Sequence, residues 1–174
     1  GNAPFALDLC TGSGAIALSI ANEVTNAQVW AVEKSPEAHA WASRNVERLG
    51  DGRVHLLLGD VADTHEMLES LLGRVHVLIS NPPYVPTGMV PRDPEVRDHD
   101  PELALYSGAD GLDLVRVISR VGLGFVMSGG MLVLEHAELQ GAAIREILAE
   151  DGWQRPATHQ DLTLRDRATT AVRA

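Results

Sequence analysis

An apolar run enters a glycine-rich turn in the stretch Phe5-Ala6-Leu7-Asp8-Leu9-Cys10-Thr11-Gly12-Ser13-Gly14. Its first five residues are typical of a buried β-strand. Gly12 and Gly14 then permit a sharp turn and a close approach of the backbone to a ligand. A helical apolar pattern follows at 15–22. Strand, turn and helix in this order indicate the first unit of an α/β sheet, although a tight strand-to-helix turn needs glycine even where no ligand binds.

The same alternation of strand and helix patterns continues to the end of the chain. Apolar runs predict six more strands, at 29–32, 54–58, 75–80, 131–135, 153–159 and 168–172. Helical patterns are found at 36–50, 64–72, 112–126 and 139–150. This alternation predicts an α/β fold in which helices cover both faces of a mostly parallel sheet.

The composition is that of an ordinary globular domain. The chain has 174 residues, enough for one domain with a full core. Its formal net charge of −10 argues against a large basic surface, so we expect no direct contact with nucleic acid. The single cysteine, Cys10, excludes an internal disulfide, and no apolar stretch has membrane length, so we expect a cytoplasmic protein without a membrane segment. The seven histidines lack metal-ligand spacing, and we expect no metal.

Two acids follow the second and third predicted strands. Glu33 lies about twenty residues beyond the glycine turn, where a carboxylate can accept hydrogen bonds from both hydroxyls of a ribose. Asp60, followed by Val61, ends the third strand in a position to meet an adenine edge. Either acid alone could be a solvated residue at a strand end. Because the carboxyl ends of parallel strands meet at one edge of a sheet, the turn and both acids together favour a nucleoside site.

The turn also narrows the choice of cofactor. Its spacing differs from the Gly-x-Gly-x-x-Gly of dinucleotide-binding proteins, and no P-loop lysine follows it. Asp8, at the entrance to the turn, would repel a phosphate and favour a positively charged ligand. S-adenosylmethionine carries an adenosine, a sulfonium and an α-amino group, and it therefore fits all three acids.

The fourth predicted strand runs directly into Asn81-Pro82-Pro83-Tyr84. Asn81 supplies a side-chain carbonyl acceptor and an NH2 donor. The prolines lack backbone N–H groups and offer only carbonyl acceptors, and Tyr84 adds a flat ring with a polar tip. Hydrogen-bond acceptors beside an aromatic face suit a planar nitrogen that bears hydrogens. The alternative is a simple turn, because Asn-Pro alone is an ordinary turn signal. The segment that follows, to residue 110, is irregular and long for a compact domain, which favours a functional role.

These motifs together resemble the class I S-adenosylmethionine-dependent methyltransferases of the Asn-Pro-Pro-Tyr kind, which include adenine-N6 and protein glutamine methyltransferases. The residues after the tetrapeptide are similar to those of the peptide chain release factor glutamine methyltransferases. The resemblance covers essentially the whole chain and implies a Rossmann-like fold whose sheet has seven strands, the last antiparallel. The motifs that carry it are Pro94-Glu95-Val96-Arg97-Asp98-His99-Asp100-Pro101, Asp110-Gly111-Leu112, Leu134-Glu135-His136 with Gln140, and Asp161-Leu162 with Arg167.

The resemblance implies a role for each motif. The substrate would be the side-chain amide of the glutamine in the Gly-Gly-Gln motif of bacterial class I release factors, methylated at N5, and the release factor would be the partner. Asn81, Pro82, Pro83 and Tyr84 would bind it, and Asn81, Pro82 and Tyr84 would act in catalysis. The residues implied to bind S-adenosylmethionine are Asp8, Cys10, Thr11, Gly12, Ser13, Gly14, Glu33, Asp60, Val61 and Asn81.

Two alternatives stay open. An adenine-N6 nucleic-acid methyltransferase uses the same tetrapeptide on a flipped base, but the net charge and the segment 94–112 count against it. A catalytically silent cofactor-binding module is the other alternative, and the intact Asp8, Glu33 and Asn81 count against that.

The chain departs from the family pattern at three points. Cys10 stands where many relatives carry glycine, and Leu164 occupies a position in the final hairpin where we expect glycine. The family carries an N-terminal helical domain that docks the release factor, so we expect residues 1–174 to be the catalytic domain without it. Arg97 and Glu95 are expected to hold the long loop by ion pairing rather than to act in catalysis.

Overall fold

The computed structural model describes residues 3–90 and 101–174. Its seven strands form one sheet, in the order β3-β2-β1-β4-β5-β7-β6 once they are numbered along the chain. The strands are β1 Phe5–Leu9, β2 Gln28–Glu33, β3 Val54–Leu58, β4 Val75–Ser80, β5 Val126–Glu135, β6 Gln154–Gln160 and β7 Asp166–Val172. Strand β7 is antiparallel to both of its neighbours, and the remaining neighbours are parallel. The predicted sheet, with its antiparallel last strand, is confirmed.

In the ranges 3–90 and 101–174, six α-helices connect and cover these strands. Helix α2 begins as its sequence predicts, because the Ser35 side chain accepts a hydrogen bond from the Ala38 N–H at 3.3 Å and Pro36 occupies the first turn. Short 3-10 turns, Val61–Asp63 and Glu69–Leu71, lie on either side of α3. The helices are α1 Ala15–Glu23, α2 Pro36–Leu49, α3 Thr64–Met67, α4 Glu102–Leu105, α5 Asp113–Phe125 and α6 Gly141–Asp151.

The structure corrects three of the predicted elements. The segment 64–72 is not one helix, because Leu68, with φ −127° and ψ 32°, leaves helical geometry after one turn. Strand β5 starts at Val126 instead of 131, since Gly129 and Gly130 exchange backbone hydrogen bonds of 2.9 Å with Arg173. Helix α4 lies inside the segment that was predicted to be irregular throughout.

The two faces of the sheet have separate cores. Leu7 and Leu9 belong to the larger cluster, which includes the apolar side chains of α5 and α6. Ala6 belongs to the smaller cluster, with Ala17 and other residues of α1. Because side chains alternate along a strand, Asp8 lies on the same face as Ala6 and therefore against α1.

The motif that begins at Pro94, with Glu95 and Arg97, lies mostly outside the described residues. Within the described part of the chain, no helix has the length and apolar character needed to cross a membrane. The same residues contain no group of three or more His, Cys, Asp or Glu side chains arranged to hold a metal ion.

Candidate active site

The glycine-rich turn is built from residues in the left-handed backbone conformation. Cys10 has φ +61°, Gly12 has φ +59° and Gly14 has φ +83°. This conformation favours glycine, which explains why glycine suits position 10 in the family pattern. The Thr11 N–H donates to the Val32 carbonyl at 3.1 Å, which fixes the turn beside β2. Burial raises the pKa of the Cys10 thiol to about 12, so this side chain is a neutral turn residue and not a nucleophile.

Asp8 is fully buried beneath this turn. Its Oδ2 accepts hydrogen bonds from the Thr11 hydroxyl at 2.5 Å and from the Ala17 N–H at 3.1 Å. Its Oδ1 is buried without a hydrogen-bond partner among the described residues. Burial raises the pKa of Asp8 to about 7, against the hydrogen bonds from Thr11 and Ala17, which lower it. Asp8 therefore braces the turn against the start of α1.

Glu33 ends β2 with both carboxylate oxygens held by backbone N–H groups. Oε2 accepts from Gly12 and Oε1 accepts from Ser35, each at 2.8 Å. A carboxylate has about four lone-pair sites, so each oxygen keeps acceptor capacity for a ligand hydroxyl. The residue is only 8% exposed, and its orientation is fixed before any ligand binds.

Asp60 follows β3 and precedes a 3-10 turn. Its Oδ1 accepts from the Ala62 N–H at 3.0 Å, and its Oδ2 lies 2.7 Å from the Lys34 ammonium. The hydrogen bond from Lys34, followed by that from Ala62, lowers the pKa of Asp60. Lys34 was not among the predicted site residues, and its place directly after Glu33 is the only sequence signal for it.

The tetrapeptide Asn81-Pro82-Pro83-Tyr84 begins where β4 ends. The Ser80 hydroxyl donates to the Leu9 carbonyl at 2.6 Å and so ties the end of β4 to β1. Asn81 is exposed, and in the described ranges its side-chain amide has no hydrogen-bond partner. Pro82 is buried. A donor and an acceptor of Asn81 are thus available to a ligand.

The residues after the tetrapeptide pair with the last residue of α4 and with the segment that follows it. Val85 donates its N–H to the Leu105 carbonyl at 2.7 Å and accepts the Ser107 N–H at 3.0 Å. Thr87 donates its N–H to the Gly108 carbonyl at 2.8 Å. These bonds hold helix α4 beside the end of the tetrapeptide. The sequence pattern did not indicate this position.

Tyr84 is half-buried beside the carboxyl end of β5. Burial raises the pKa of its hydroxyl, the negative charge of Glu135 acts in the same direction, and Arg167 opposes both. Its hydroxyl therefore lies near two charged residues of β5 and β7.

A cavity of about 680 Å³ joins these parts at the carboxyl edge of the sheet. Of the predicted site residues, only Asp8 and Gly14 do not line it; they support the turn from below. The acidic side of the cavity is formed by Cys10, Thr11, Gly12, Ser13, Glu33, Asp60 and Val61, and the acceptor side by Asn81, Pro82, Pro83 and Tyr84. Lining residues that the sequence reasoning missed include Lys34, Ser35, Ala38, Leu103, Leu105 and Tyr106.

Known proteins resemble this chain in sequence as well as in fold. A family model described as a methyltransferase domain matches residues 6–81. The release factor glutamine methyltransferase of Streptomyces coelicolor is 47% identical over 173 residues, which are 98% of this chain and 59% of that protein. The chain has the fold of the class I S-adenosylmethionine-dependent methyltransferases. The resemblance to release factor glutamine methyltransferases that its motifs predicted is confirmed.

Two further proteins are similar to this chain. The 4-amino-L-phenylalanine/4-methylamino-L-phenylalanine methyltransferase of Streptomyces pristinaespiralis is 36% identical over 172 residues, 98% of this chain and 56% of that protein. The magnesium protoporphyrin IX methyltransferase of Synechocystis, solved with bound S-adenosylmethionine, matches with a TM-score of 0.63 and 16% identity, over 99% of this chain and 71% of that one. The chain thus spans less than two thirds of the length of the two curated relatives, from Streptomyces coelicolor and Streptomyces pristinaespiralis.

The acidic side of the cavity fits S-adenosylmethionine as the cofactor. Glu33 offers a fixed carboxylate for ribose hydroxyls, and Asp60 lies at the adjacent strand end. The buried Oδ1 of Asp8, which has no partner among the described residues, lies close to the turn, and a positively charged ligand there would favour the ionised form of this carboxyl. The assignment of individual residues to parts of the cofactor stays a prediction.

Proposed function

We propose that this methyltransferase modifies the side-chain amide nitrogen, N5, of the glutamine in the Gly-Gly-Gln motif of peptide chain release factors. The observation that carries the proposal is the side-chain amide of Asn81, which has no hydrogen-bond partner among the described residues and lines the same cavity as the acidic side. The similarity to a release factor glutamine methyltransferase over 98% of the chain supports the choice of a glutamine amide.

The acceptor side would orient a poor nucleophile. An amide nitrogen reacts slowly because its lone pair is delocalised into the carbonyl group. When bound, S-adenosylmethionine supplies a methyl group on a positively charged sulfur, which leaves as a neutral thioether. Asn81 Oδ1 and the Pro82 carbonyl would each accept one N–H of the glutamine, which fixes the plane of the amide and aims its nitrogen. Positioning of this kind can lower a barrier by about 7 kcal/mol or more.

The same two acceptors would stabilise charge. As nitrogen acquires the methyl group, its N–H groups become more acidic, and partial negative charge on the acceptors stabilises them. No dedicated general base is needed, because one amide proton can pass to solvent afterwards. Tyr84 and Pro83 would complete the wall on which the amide plane packs.

The setting of the reaction belongs to the same proposal. Residues 1–174 would act as the catalytic domain, a bacterial class I release factor would be the partner, and the reaction would take place in the cytoplasm, where release factors act. No contact with nucleic acid or membrane is part of it.

A second candidate substrate is a small aromatic amine. The Streptomyces pristinaespiralis relative, named for 4-amino-L-phenylalanine, aligns over as much of this chain as the first relative does. A planar arylamine would use the same two acceptors. It differs from the glutamine proposal in needing no macromolecular partner.

The test is methyl transfer by the purified protein from labelled cofactor to a release factor, to 4-amino-L-phenylalanine or to adenine-containing RNA and DNA. We expect transfer to the release factor, at the glutamine, and not to the others. Asn81→Ala should lower kcat by about 100- to 1,000-fold, because one positioned acceptor is lost. The cofactor Kd, measured by calorimetry, should stay within about threefold, since Asn81 would be one of ten residues that bind the cofactor and the others lie on or beneath the acidic side.

The matched control is Asn22→Ala, an exposed position on α1 outside the cavity, which should behave as the wild type. Unchanged turnover in Asn81→Ala would refute the role of the acceptor side. Label in the small amine or in nucleic acid, with none in the release factor, would replace the glutamine assignment by that substrate. Cofactor binding without transfer to any of the three would support a silent module.

A further inference from the structure

Outside the cavity, the side-chain amide of Gln140 joins three segments of the chain. Its Oε1 accepts the Ala137 N–H at 3.0 Å. Its Nε2 donates to the Tyr84 carbonyl at 2.9 Å and to the Asp110 carbonyl at 3.2 Å. Both hydrogens of the amide nitrogen and one lone pair of its oxygen are therefore used. No other side chain in residues 3–90 and 101–174 bonds to the backbone of the tetrapeptide.

The tetrapeptide depends on its two ends for its position. Pro82 and Pro83 have no N–H group, so the middle of the segment cannot donate a backbone hydrogen bond. The first end is fixed by Ser80, in β4 and bonded to β1. At the other end, the fixed points are the Val85 N–H, bonded to α4, and the Tyr84 carbonyl, bonded to Gln140.

The contact around the Tyr84 carbonyl is closely packed. A Cβ at Gly111 would lie 2.2 Å from the Tyr84 carbonyl oxygen and 2.8 Å from Nε2 of Gln140. Gly111 also has φ +78°, a conformation that side chains disfavour. The absence of a side chain at 111 thus lets Gln140 reach the carbonyl, and the backbone of 110–111 limits movement of that carbonyl.

We propose that Gln140 is a positioning residue for methyl transfer, which fixes the carbonyl of Tyr84 and thereby the direction in which Asn81 and Pro82 present their acceptors. The inference rests on the proposed function, because it concerns how the acceptor side holds the glutamine amide. It assigns Gln140 to the chemical step and not to cofactor binding, since none of its three partners belongs to the acidic side.

The amide orientation makes a sharp test available. The N–H of Ala137 requires an acceptor, and the carbonyls of Tyr84 and Asp110 require donors. Only a side chain that offers an acceptor and donors at these places can replace glutamine. Gln140→Met keeps the length and loses every bond. Gln140→Glu keeps the acceptor but directs a carboxylate oxygen at two carbonyls. When that carboxyl is protonated, its O–H can donate to the Tyr84 carbonyl again.

We expect kcat toward the release factor to fall by about 10- to 100-fold in Gln140→Met, with the cofactor Kd within about twofold. At pH 8, Gln140→Glu should show a similar loss. As the pH is lowered toward 5.5, the kcat of Gln140→Glu relative to the wild type should rise, whereas the ratio for Gln140→Met should stay level. Dividing by the wild type removes titrations common to both proteins.

Apart from residue 140 itself, the titratable groups around this contact, which include His136 beside Ala137, are the same in all variants. Glu135 and Arg167 lie near Tyr84, and Asp110 is paired with Arg116 at 2.6 Å. That pair lowers the pKa of Asp110 to about 2, so Asp110 does not titrate between pH 5.5 and pH 8. The matched control is Gln154→Met, exposed at the opposite edge of the sheet, which should keep the wild-type kcat.

The inference is overturned if Gln140→Met keeps kcat within about twofold of the wild type, or if its cofactor Kd rises as much as its kcat falls. It is also overturned if the ratio for Gln140→Glu does not change with pH. Failure of the proposed function looks different, because then the wild type itself does not methylate the release factor. In that event the same variants are assayed on 4-amino-L-phenylalanine, where the same acceptors and the same losses would apply.

Discussion

The two sides of the cavity are fixed in different ways. On the acidic side, Glu33 and Asp60 are held by backbone N–H groups next to them or from the glycine turn, so their carboxylates are oriented by nearby chain. On the acceptor side, the Asn81 amide has no partner in the described ranges, and the backbone beside it is held by Gln140, 56 positions away from Tyr84.

Under the proposed function, this difference separates cofactor binding from methyl transfer. A site whose polar groups are already oriented binds its ligand without reorganisation, and the acidic side would have that property for the cofactor. The acceptor side differs, because its backbone is anchored while the Asn81 amide still has acceptor and donor capacity. A second ligand would complete the hydrogen bonds of that amide. Substitutions on the acidic side should therefore change cofactor affinity and stability, while substitutions on the acceptor side should change turnover.

The largest expected effect is on the pH dependence of the free energy of unfolding, and it comes from Asp8, beneath the acidic side. Its pKa is about 7 in the folded protein and about 4 when unfolded, so between these values the folded state binds the extra proton. Stability should therefore fall as the pH rises from about 4 to about 7, by at most about 4 kcal/mol. Asp8→Asn has no such titration. Urea unfolding of both proteins at pH 5 and pH 8 measures the difference.

Comparison with Asp8→Asn cancels the other acids, including Asp60, Asp110 and Asp161, whose lowered pKa values act at more acidic pH. If the stability of the wild type relative to Asp8→Asn does not decline between pH 5 and pH 8, the buried carboxyl is not protonated in the folded protein. The acidic side would then hold a buried charge that some other group compensates.

The next effect concerns cofactor affinity at Glu33. In Glu33→Gln the amide nitrogen must face the N–H of Gly12 or of Ser35, which places two donors together in a buried site. We expect the Kd for S-adenosylmethionine to rise about 100-fold, equivalent to about 2.7 kcal/mol. Calorimetry with Glu37→Gln, exposed on α2, as the control measures it. A Kd that rises more in Asn81→Ala than in Glu33→Gln would reverse the division of roles between the two sides.

The acidic side could be predicted from the sequence because its chemistry is local. A glycine turn and acids at strand ends are visible as short patterns, and parallel strands bring them to one edge whatever the details of packing. The seven strands were predicted for the same reason, since each strand has its own apolar run. The tetrapeptide could be found in this way as well, because it directly follows β4.

The hydrogen bonds that hold the acceptor side could not be predicted, because they join segments that are distant in the sequence. Gln140 reaches Tyr84 only after β5, α6 and the turn at Ala137 are in place. Helix α4 and the first half of β5 were missed for a similar reason, since backbone pairing outweighed weak local preferences. Lys34 was missed because a lysine after an acid is unremarkable until Asp60 lies 2.7 Å away.

The smallest expected effect is on the free energy of unfolding, at two residues that stand where glycine is expected. Cys10, on the acidic side, has φ +61° but packs against the core, whereas Leu164 has φ +64° and is 76% exposed. The hairpin turn still forms around Leu164, through its N–H bond to the Asp161 carbonyl at 3.0 Å. Leu164→Gly should raise the free energy of unfolding by about 1 kcal/mol, because it removes backbone strain and loses no packing.

Leu162→Gly is the matched control, because Leu162 is fully exposed in the same hairpin but has no positive φ. It should lower stability slightly, since glycine increases the conformational entropy of the unfolded chain. Cys10→Gly should gain less than Leu164→Gly, because strain at Cys10 is offset by apolar contacts with the core. Thermal unfolding of the three variants tests this order. A gain in Cys10→Gly equal to that in Leu164→Gly would mean that the Cys10 side chain contributes nothing to the acidic side beyond occupying the turn.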